Sequence, residues 1–283
     1  MDLDLFTIHH KNDGNIGVLQ KYFIPMQVGC ALSKIDLKIR RDNDFGTISH
    51  KNQNYCELTA FDEIARSSKA EHIGIMHYRR IFTEPKPVRE KLANVRYHRR
   101  LLARQLGIGK NPVERNVKFT IKSLVELETE SKKLSYYLEK KLHEIDIITP
   151  LGLYYHTPTL REKYASSHIV EHFDIFMNCL IKVRPGLAPF IINQDHHPAA
   201  YYVGNMFIMR KKIYHDYWSI LSRTLLLVEE QINLDILDPY QSRVFGFLAE
   251  RFMGIFCRYY AAKKCVVWER LPIAIVDNVN ISF

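Results

Sequence analysis

Short apolar runs alternate along the chain with longer amphipathic stretches. DLFTI (Asp4–Ile8), followed by Asn12-Asp13-Gly14, IGIM (Ile73–Met76) and IDIITP (Ile145–Pro150), cut short by Pro150, are short apolar runs that each predict a strand, and KCVVWERLPIAIV (Lys264–Val276) reads as the strand that closes the chain. AAYYVGNMFIMRK (Ala199–Lys211) is β-like around Gly204 and Asn205. Helices are predicted over CELTAFDEIARSS (Cys56–Ser68), where Cys56, Ala60, Ile64 and Ala65 share a face, with Asn52 or Asn54 as N-cap. Further helices are expected at HIVEHFDIFMNCLIKV, ended by Pro185-Gly186, at IYHDYWSILSRTLLLVEEQI, and over DPYQSRVFGFLAERFMGIFCRYYAA with Pro239 near its start.

Between Ile35 and Tyr55 the chain is polar and turn-rich, which predicts a loop. Residues 86–142 read as polar and helical, with a break at GIGKNPVER. Strands alternating with helices predict an α/β fold: a mostly parallel central sheet flanked by helices, in one domain over 1–283 that carries a basic helical insertion at 85–122.

Charge sharpens that insertion. The chain of 283 residues carries a formal charge of +9. Between Lys86 and Lys122 there are eleven Lys/Arg against Glu90 and Glu114, which accounts for the whole excess. The basic character therefore belongs to one segment and not to the fold. No run approaches a membrane span, and the acidic, barely apolar N-terminus does not read as a secretory signal. The five cysteines are scattered without a C-x-x-C pair and read as reduced thiols of a cytoplasmic protein.

No G-x-G-x-x-G, Walker-type, H-E-x-x-H or G-x-S-x-G pattern is present, which argues against dinucleotide, P-loop, zincin and α/β-hydrolase chemistry. The chemistry-bearing feature is HIGIMHYRRIF (His72–Phe82), an apolar strand ending in His77, Tyr78, Arg79 and Arg80. Ligands of open α/β sheets bind beyond the carboxyl ends of strands, arginine forks suit phosphate oxygens, and a tyrosine ring can stack on a base or sugar. The competing reading is an ion-pair cluster with Glu57 or Asp62. Asn205 is either a turn residue or one aimed into a pocket. QDHH (Gln194–His197) is surface decoration, a metal site or a source of a base. Arg243 and Glu250 lie two turns apart on one helix face, so Glu250 is either a paired structural carboxylate or a catalytic one.

HHK after the first strand, PMQVGCAL, ISHKNQNYCELTAF, IGIMHYRRIF, IDIITP, NMFIMRK and YQSRVFGFLAERF occur in that order. Together, from about Leu5 to Tyr259, they resemble a bacterial family long labelled a domain of unknown function and found in capsule and O-antigen gene clusters. The resemblance implies a GT-A-like, Rossmann-like glycosyltransferase that binds a nucleotide-sugar donor, with relatives that use UDP-galactofuranose. It implies a glycan or lipid-linked glycan acceptor and an inverting transfer. GT-A enzymes place an Asp-x-Asp and a divalent metal where this chain has HYRR, so protein cations are expected in place of a metal, with no other cofactor.

On that basis His10 and Lys11 are expected to meet the nucleotide, and Asn52, Asn54, Tyr55 and Glu57 the donor sugar or ribose. His77, Arg79 and Arg80 would hold the diphosphate, with Tyr78 beside them. Asn205 would face donor or acceptor, with Arg243 nearby. The base is open among Asp238, Asp195 and Glu250. The basic stretch 86–122 either docks on anionic inner-membrane lipid or is a solvated insertion or oligomer contact. Two rivals remain: a nucleic-acid-binding protein, disfavoured by the confinement of the charge and the lack of a known motif, and a non-catalytic partner in polysaccharide assembly.

Overall fold

The structure is a computed structural model that describes residues 1–87, 118–151, 153–155, 159–192, 199–263 and 266–277, with positions 95, 99, 102 and 103 between the first two. Strands β1 (Leu3–His9), β2 (Ile24–Gln27), β3 (Arg40–Arg41), β4 (His72–His77), β5 (Arg80–Phe82), β6 (Lys118–Ile121), β7 (Ile147–Pro150), β10 (Phe207–Arg210), β11 (Trp268–Leu271) and β12 (Ile273–Val276) form one sheet. Its main path runs β11-β7-β10-β4-β1-β2-β3, and β5, β12 and β6 continue from β4. A separate antiparallel pair joins β8 (Leu153–Tyr155) to β9 (Ala199–Tyr201).

The apolar runs are continuous because the sheet is buried on both faces. Phe6, Ile8, Ile73, Ile75, Ile147, Phe207 and Met209 enter one core, while Leu5, Met76, Ile148 and Ile208 enter the other. The first core is closed by helices α2 (Leu58–Ser67), α4 (Val170–Val183), α5 (Lys211–Glu229) and α6 (Val244–Lys263). The second is closed by α3 (Leu124–Lys141) through Leu127, Leu134 and Leu138. At its centre Gly74 leaves room for its neighbours: a Cβ there would sit 2.5 Å from Leu5 and 2.9 Å from Ile208. No helix among the described residues is long and apolar enough to cross a membrane.

The α/β expectation holds, with several differences in detail. β1, β2 and β4 are mutually parallel, as are β7 with β11 and β6 with β12, but β10 runs antiparallel between β4 and β7. The terminal strand is two strands, since Pro272 lacks the N–H to continue a ladder and β12 turns to pair with β5 and β6. Lys118–Ile121, placed by its charge in a helical insertion, is strand β6. Residues 88–94, 96–98, 100–101 and 104–117 of that insertion lie outside the described residues, as do Asp195, His196 and His197.

The predicted helix over Cys56–Ser68 is interrupted. A short helix α1 (Asn52–Tyr55) ends at Cys56, which takes φ +52°, and α2 starts only at Leu58. Neither Asn52 nor Asn54 is the N-cap: Lys51 precedes α1, Glu57 precedes α2, and neither makes a side-chain cap bond. Likewise the β-like run at Ala199–Lys211 is broken by a turn at Val203–Asn205 in which Gly204 has φ +81° and Asn205 φ +50°. The last long helix starts at Val244, after a turn of 3₁₀ helix at Gln241–Arg243.

Candidate active site

β1, β2 and β4 share a direction, so their carboxyl ends reach one edge of the sheet together. A cleft of about 550 Å³ opens there. From the sheet it takes His10, Lys11, His77, Tyr78 and Arg79, and from the facing segments Asn52, Gln53, Cys56, Glu57, Pro239 and Arg243. Segments more than 180 residues apart thus meet at the topological position where α/β sheets bind ligands.

HYRR forms a hairpin. Tyr78 and Arg79 are its turn, and His77 pairs with Arg80 across it. This separates the two arginines. Arg79 is exposed and lines the cleft, its guanidinium 5.2 Å from the centre of the Tyr78 ring. Arg80 does not line the cleft, and its Nη1 lies 3.6 Å from where a Cβ on Gly204 would be. Tyr78 is buried, and its ring packs on His77 at 4.5 Å, edge-on to His10 at 5.0 Å and under the Arg79 guanidinium, so it is engaged by protein groups and does not stand open for a base to stack on.

The imidazoles act as neutral groups. Burial, then Arg80 and Arg79, hold His77 down to about 3. The Arg79 backbone N–H donates to His77 Nδ1 at 3.4 Å, leaving the ring proton on Nε2 as a donor. Burial, then Lys11 and Arg79, also lower His10. Formal positive charge in the cleft therefore comes from Lys11, Arg79 and Arg243. Burial pushes the Cys56 thiol up to about 12, with Glu57 adding to the effect, so Cys56 is no thiolate nucleophile.

The facing wall hangs on Asp42. Its carboxylate accepts the Gly29 N–H at 2.7 Å, the Cys30 N–H at 3.1 Å and the hydroxyls of Ser49 and Thr59, each at 2.6 Å. Gly29, at φ +72°, lets Asn52 close in: a Cβ there would meet Asn52 Oδ1 at 2.8 Å. Asn52 Nδ2 donates to the Cys56 carbonyl at 2.7 Å, bracing the turn that presents Glu57.

Several predicted residues do other work. Asn54 Nδ2 donates to the Ser242 carbonyl, tying α1 to the segment that carries Arg243. Tyr55 is buried against Phe245, and its hydroxyl donates to Glu229, so it faces away from the cleft. Asn205 is fully buried and does not line the cleft, and its Nδ2 donates to Glu57 Oε1 at 2.7 Å and to the Gly246 carbonyl at 3.1 Å. Glu250 accepts the Gly204 N–H at 2.6 Å and an Arg251 N–H at 2.9 Å, the bonds of a paired structural carboxylate. Asp238 is exposed beside the cleft-lining Pro239, and its Oδ1 accepts the N–H groups of Tyr240 and Gln241. Glu57 is half-buried in the wall with its pKa raised, chiefly by burial. Ile8, Val28, Gln53, Cys56 and Pro239 line the cleft without having been singled out as site residues in the sequence. The run of blocks around NYCELT and the Asp-Pro before a helix were the available signals.

The family model described as a domain of unknown function (DUF4422) matches residues 4–262. No curated protein sequence matches the chain. The apo structure of WbbM, a bifunctional glycosyltransferase, superposes with a TM-score of 0.75 at 22% identity, covering 98% of this chain and 46% of that one. The chain thus spans about half of that protein's length, and the likeness is one of fold, in keeping with a GT-A-like central sheet flanked by helices.

Proposed function

The chain belongs to the DUF4422 family, and from that premise we propose that it is a glycosyltransferase taking its sugar from a nucleoside-diphosphate donor. One observation carries the reading: Lys11, Arg79 and Arg243 converge with the neutral imidazoles of His10 and His77 on a cleft at the carboxyl ends of three parallel strands. Three cations against the single carboxylate of Glu57 leave the space net positive, and a diphosphate supplies the opposing charge and acceptor oxygens together. His77 Nε2–H adds a neutral donor. These groups stand on the sheet edge and on the facing Gln241–Arg243 turn before the reaction begins, so they are positioned to stabilise the charge that grows on the departing nucleotide.

The finer reading takes UDP as the nucleotide and galactofuranose as the sugar to test first. It takes a glycan of the capsule, O-antigen or lipooligosaccharide type as acceptor, and inversion at the anomeric carbon as the outcome. Its support is the family resemblance. No metal is required at the HYRR position in this scheme, because Arg79 of HYRR, together with Lys11, would supply the positive charge that an Asp-x-Asp recruits a metal to provide. The excess charge of residues 86–122 would keep the enzyme near anionic lipid carrying its acceptor. Vesicle sedimentation indifferent to anionic lipid would remove that part alone.

The test is a thermal-shift and calorimetric screen of the native protein against UDP, GDP and CMP, each with and without EDTA. The expected result is a UDP-selective shift that EDTA leaves in place. No shift with any nucleotide refutes the transferase reading, and a shift abolished by EDTA and restored by manganese refutes the metal-independent form.

A further inference from the structure

Among the described residues that line the cleft, Glu57 is the one acid. Its position is unfavourable for binding an anionic donor, since a carboxylate beside a diphosphate repels it. A site assembled from Lys11, Arg79 and Arg243 would bind phosphate better with a neutral residue there. The carboxylate is suited to a hydroxyl, whose proton it can accept. Taking the glycosyl-transfer reading as given, we propose that Glu57 is the catalytic base, the group that receives the proton of the acceptor hydroxyl, and that Asn205 is the positioning residue that aims it.

The local structure is organised around this carboxylate at a conformational cost. Glu57 sits between two helices because Cys56 adopts φ +52°, a left-handed conformation that non-glycine residues seldom take. Asn205 also sits in the left-handed region, at φ +50°. Its Nδ2 lies between two acceptors, Glu57 Oε1 and the Gly246 carbonyl, so the amide orientation is fixed, and its Oδ1 is buried with no partner. Strain at two residues and an orphaned acceptor all serve to hold one carboxylate at a cleft wall. Of the rival carboxylates, the two among the described residues are engaged elsewhere: Glu250 with Gly204 and Arg251, and Asp238 with the N–H groups of its own turn. Burial also raises the Glu57 pKa, which makes it a better proton acceptor.

The step balances as follows. The acceptor oxygen forms a bond to the anomeric carbon of the donor, and the bond from that carbon to the diphosphate oxygen breaks, its electron pair leaving on the nucleotide. The hydroxyl proton passes to the Glu57 carboxylate.

The assay measures UDP release from UDP-galactofuranose, UDP-galactose and UDP-glucose, with water as acceptor, by native protein, Glu57→Gln, Glu57→Ala and Asn205→Ala. Glu57→Gln is expected to keep the native thermal shift with UDP while UDP release falls about a thousandfold. Azide, a nucleophile with no proton to lose, is expected to restore UDP release to Glu57→Ala. Asn205→Ala removes a hydrogen bond that favours the ionised carboxylate, so the acid limb of its pH–rate profile moves to higher pH, whereas a merely structural asparagine would lower the rate without moving that limb. Release by Glu57→Gln within about threefold of native, loss of its UDP shift, or no rescue by azide overturns the assignment and leaves the transferase reading standing. A native protein that neither shifts with UDP nor releases it overturns that reading and this assignment with it.

Discussion

Replacing Asp42 tests whether the wall of the cleft is held by one buried carboxylate. Asp42 is fully buried and accepts four bonds, two from backbone N–H groups and two from hydroxyls. In Asp42→Asn one oxygen becomes an NH₂. The Ser49 or Thr59 hydroxyl on that side can rotate and accept from it, but a backbone N–H cannot. The cheaper flip puts the NH₂ towards Cys30, whose bond is the longer at 3.1 Å, and leaves Gly29 at 2.7 Å satisfied. One orphaned buried N–H costs about 1–3 kcal/mol, and loss of charge assistance in the remaining bonds adds roughly 1 kcal/mol, giving a total near 3 kcal/mol. Asp42→Ala orphans both N–H groups and leaves a cavity, for about 5 kcal/mol, which approaches the whole stability of an ordinary domain.

Urea unfolding at pH 7, compared at equal m-value, measures these costs. Because Ser49, Thr59, Gly29 and Asn52 set the wall that presents Cys56 and Glu57, Asp42→Asn should also weaken the UDP-dependent shift at temperatures where the protein remains folded. A Thr59→Ser control keeps the hydroxyl bond and should cost no more than about 1 kcal/mol. A cost below about 1 kcal/mol for Asp42→Asn would show that the four short contacts do not hold this loop, and the argument for its role in the site would fail with it.

Arg79→Ala should weaken UDP binding about 10- to 100-fold by calorimetry, as for loss of a charge-assisted bond, while Arg80→Ala should leave it within about threefold; equal losses would refute the division made by the hairpin. Glu57→Gln should raise the melting temperature at pH 8. A carboxylate with a raised folded pKa contributes stability that is fully present below its unfolded pKa and lost as pH rises through the folded one, so the gain should shrink on acidification. A gain that grows as pH falls would contradict burial as the cause. Tyr55→Phe removes the hydroxyl bond to Glu229 and should cost about 1 kcal/mol in urea unfolding without changing UDP affinity; a loss of affinity would return Tyr55 to the site.

What the sequence disclosed and what it withheld divide along a physical line. A strand buried on both faces leaves an uninterrupted apolar run, so β1, β4 and β7 are legible from composition alone, and the cations that follow β4 mark its functional end. Facing matters as much as position, and facing is set by long-range pairing. Arg79 and Arg80 are neighbours with the same side chain, yet they part because β12 pairs with β5 and fixes Arg80 within a strand while Arg79 stays in the turn. Left-handed backbone in a cysteine or an asparagine has no periodic signature, so helix spacing ran through Cys56 and strand character ran through Asn205. Those two departures matter for function because each turns a segment so that Glu57 and its hydrogen-bond donor meet at 2.7 Å from 148 residues apart. A local rule broken twice, at residues that converge on one carboxylate, is the pattern expected where sequence has been fitted to chemistry at some expense to local preference. On that argument the site is read from the places where the local pattern failed.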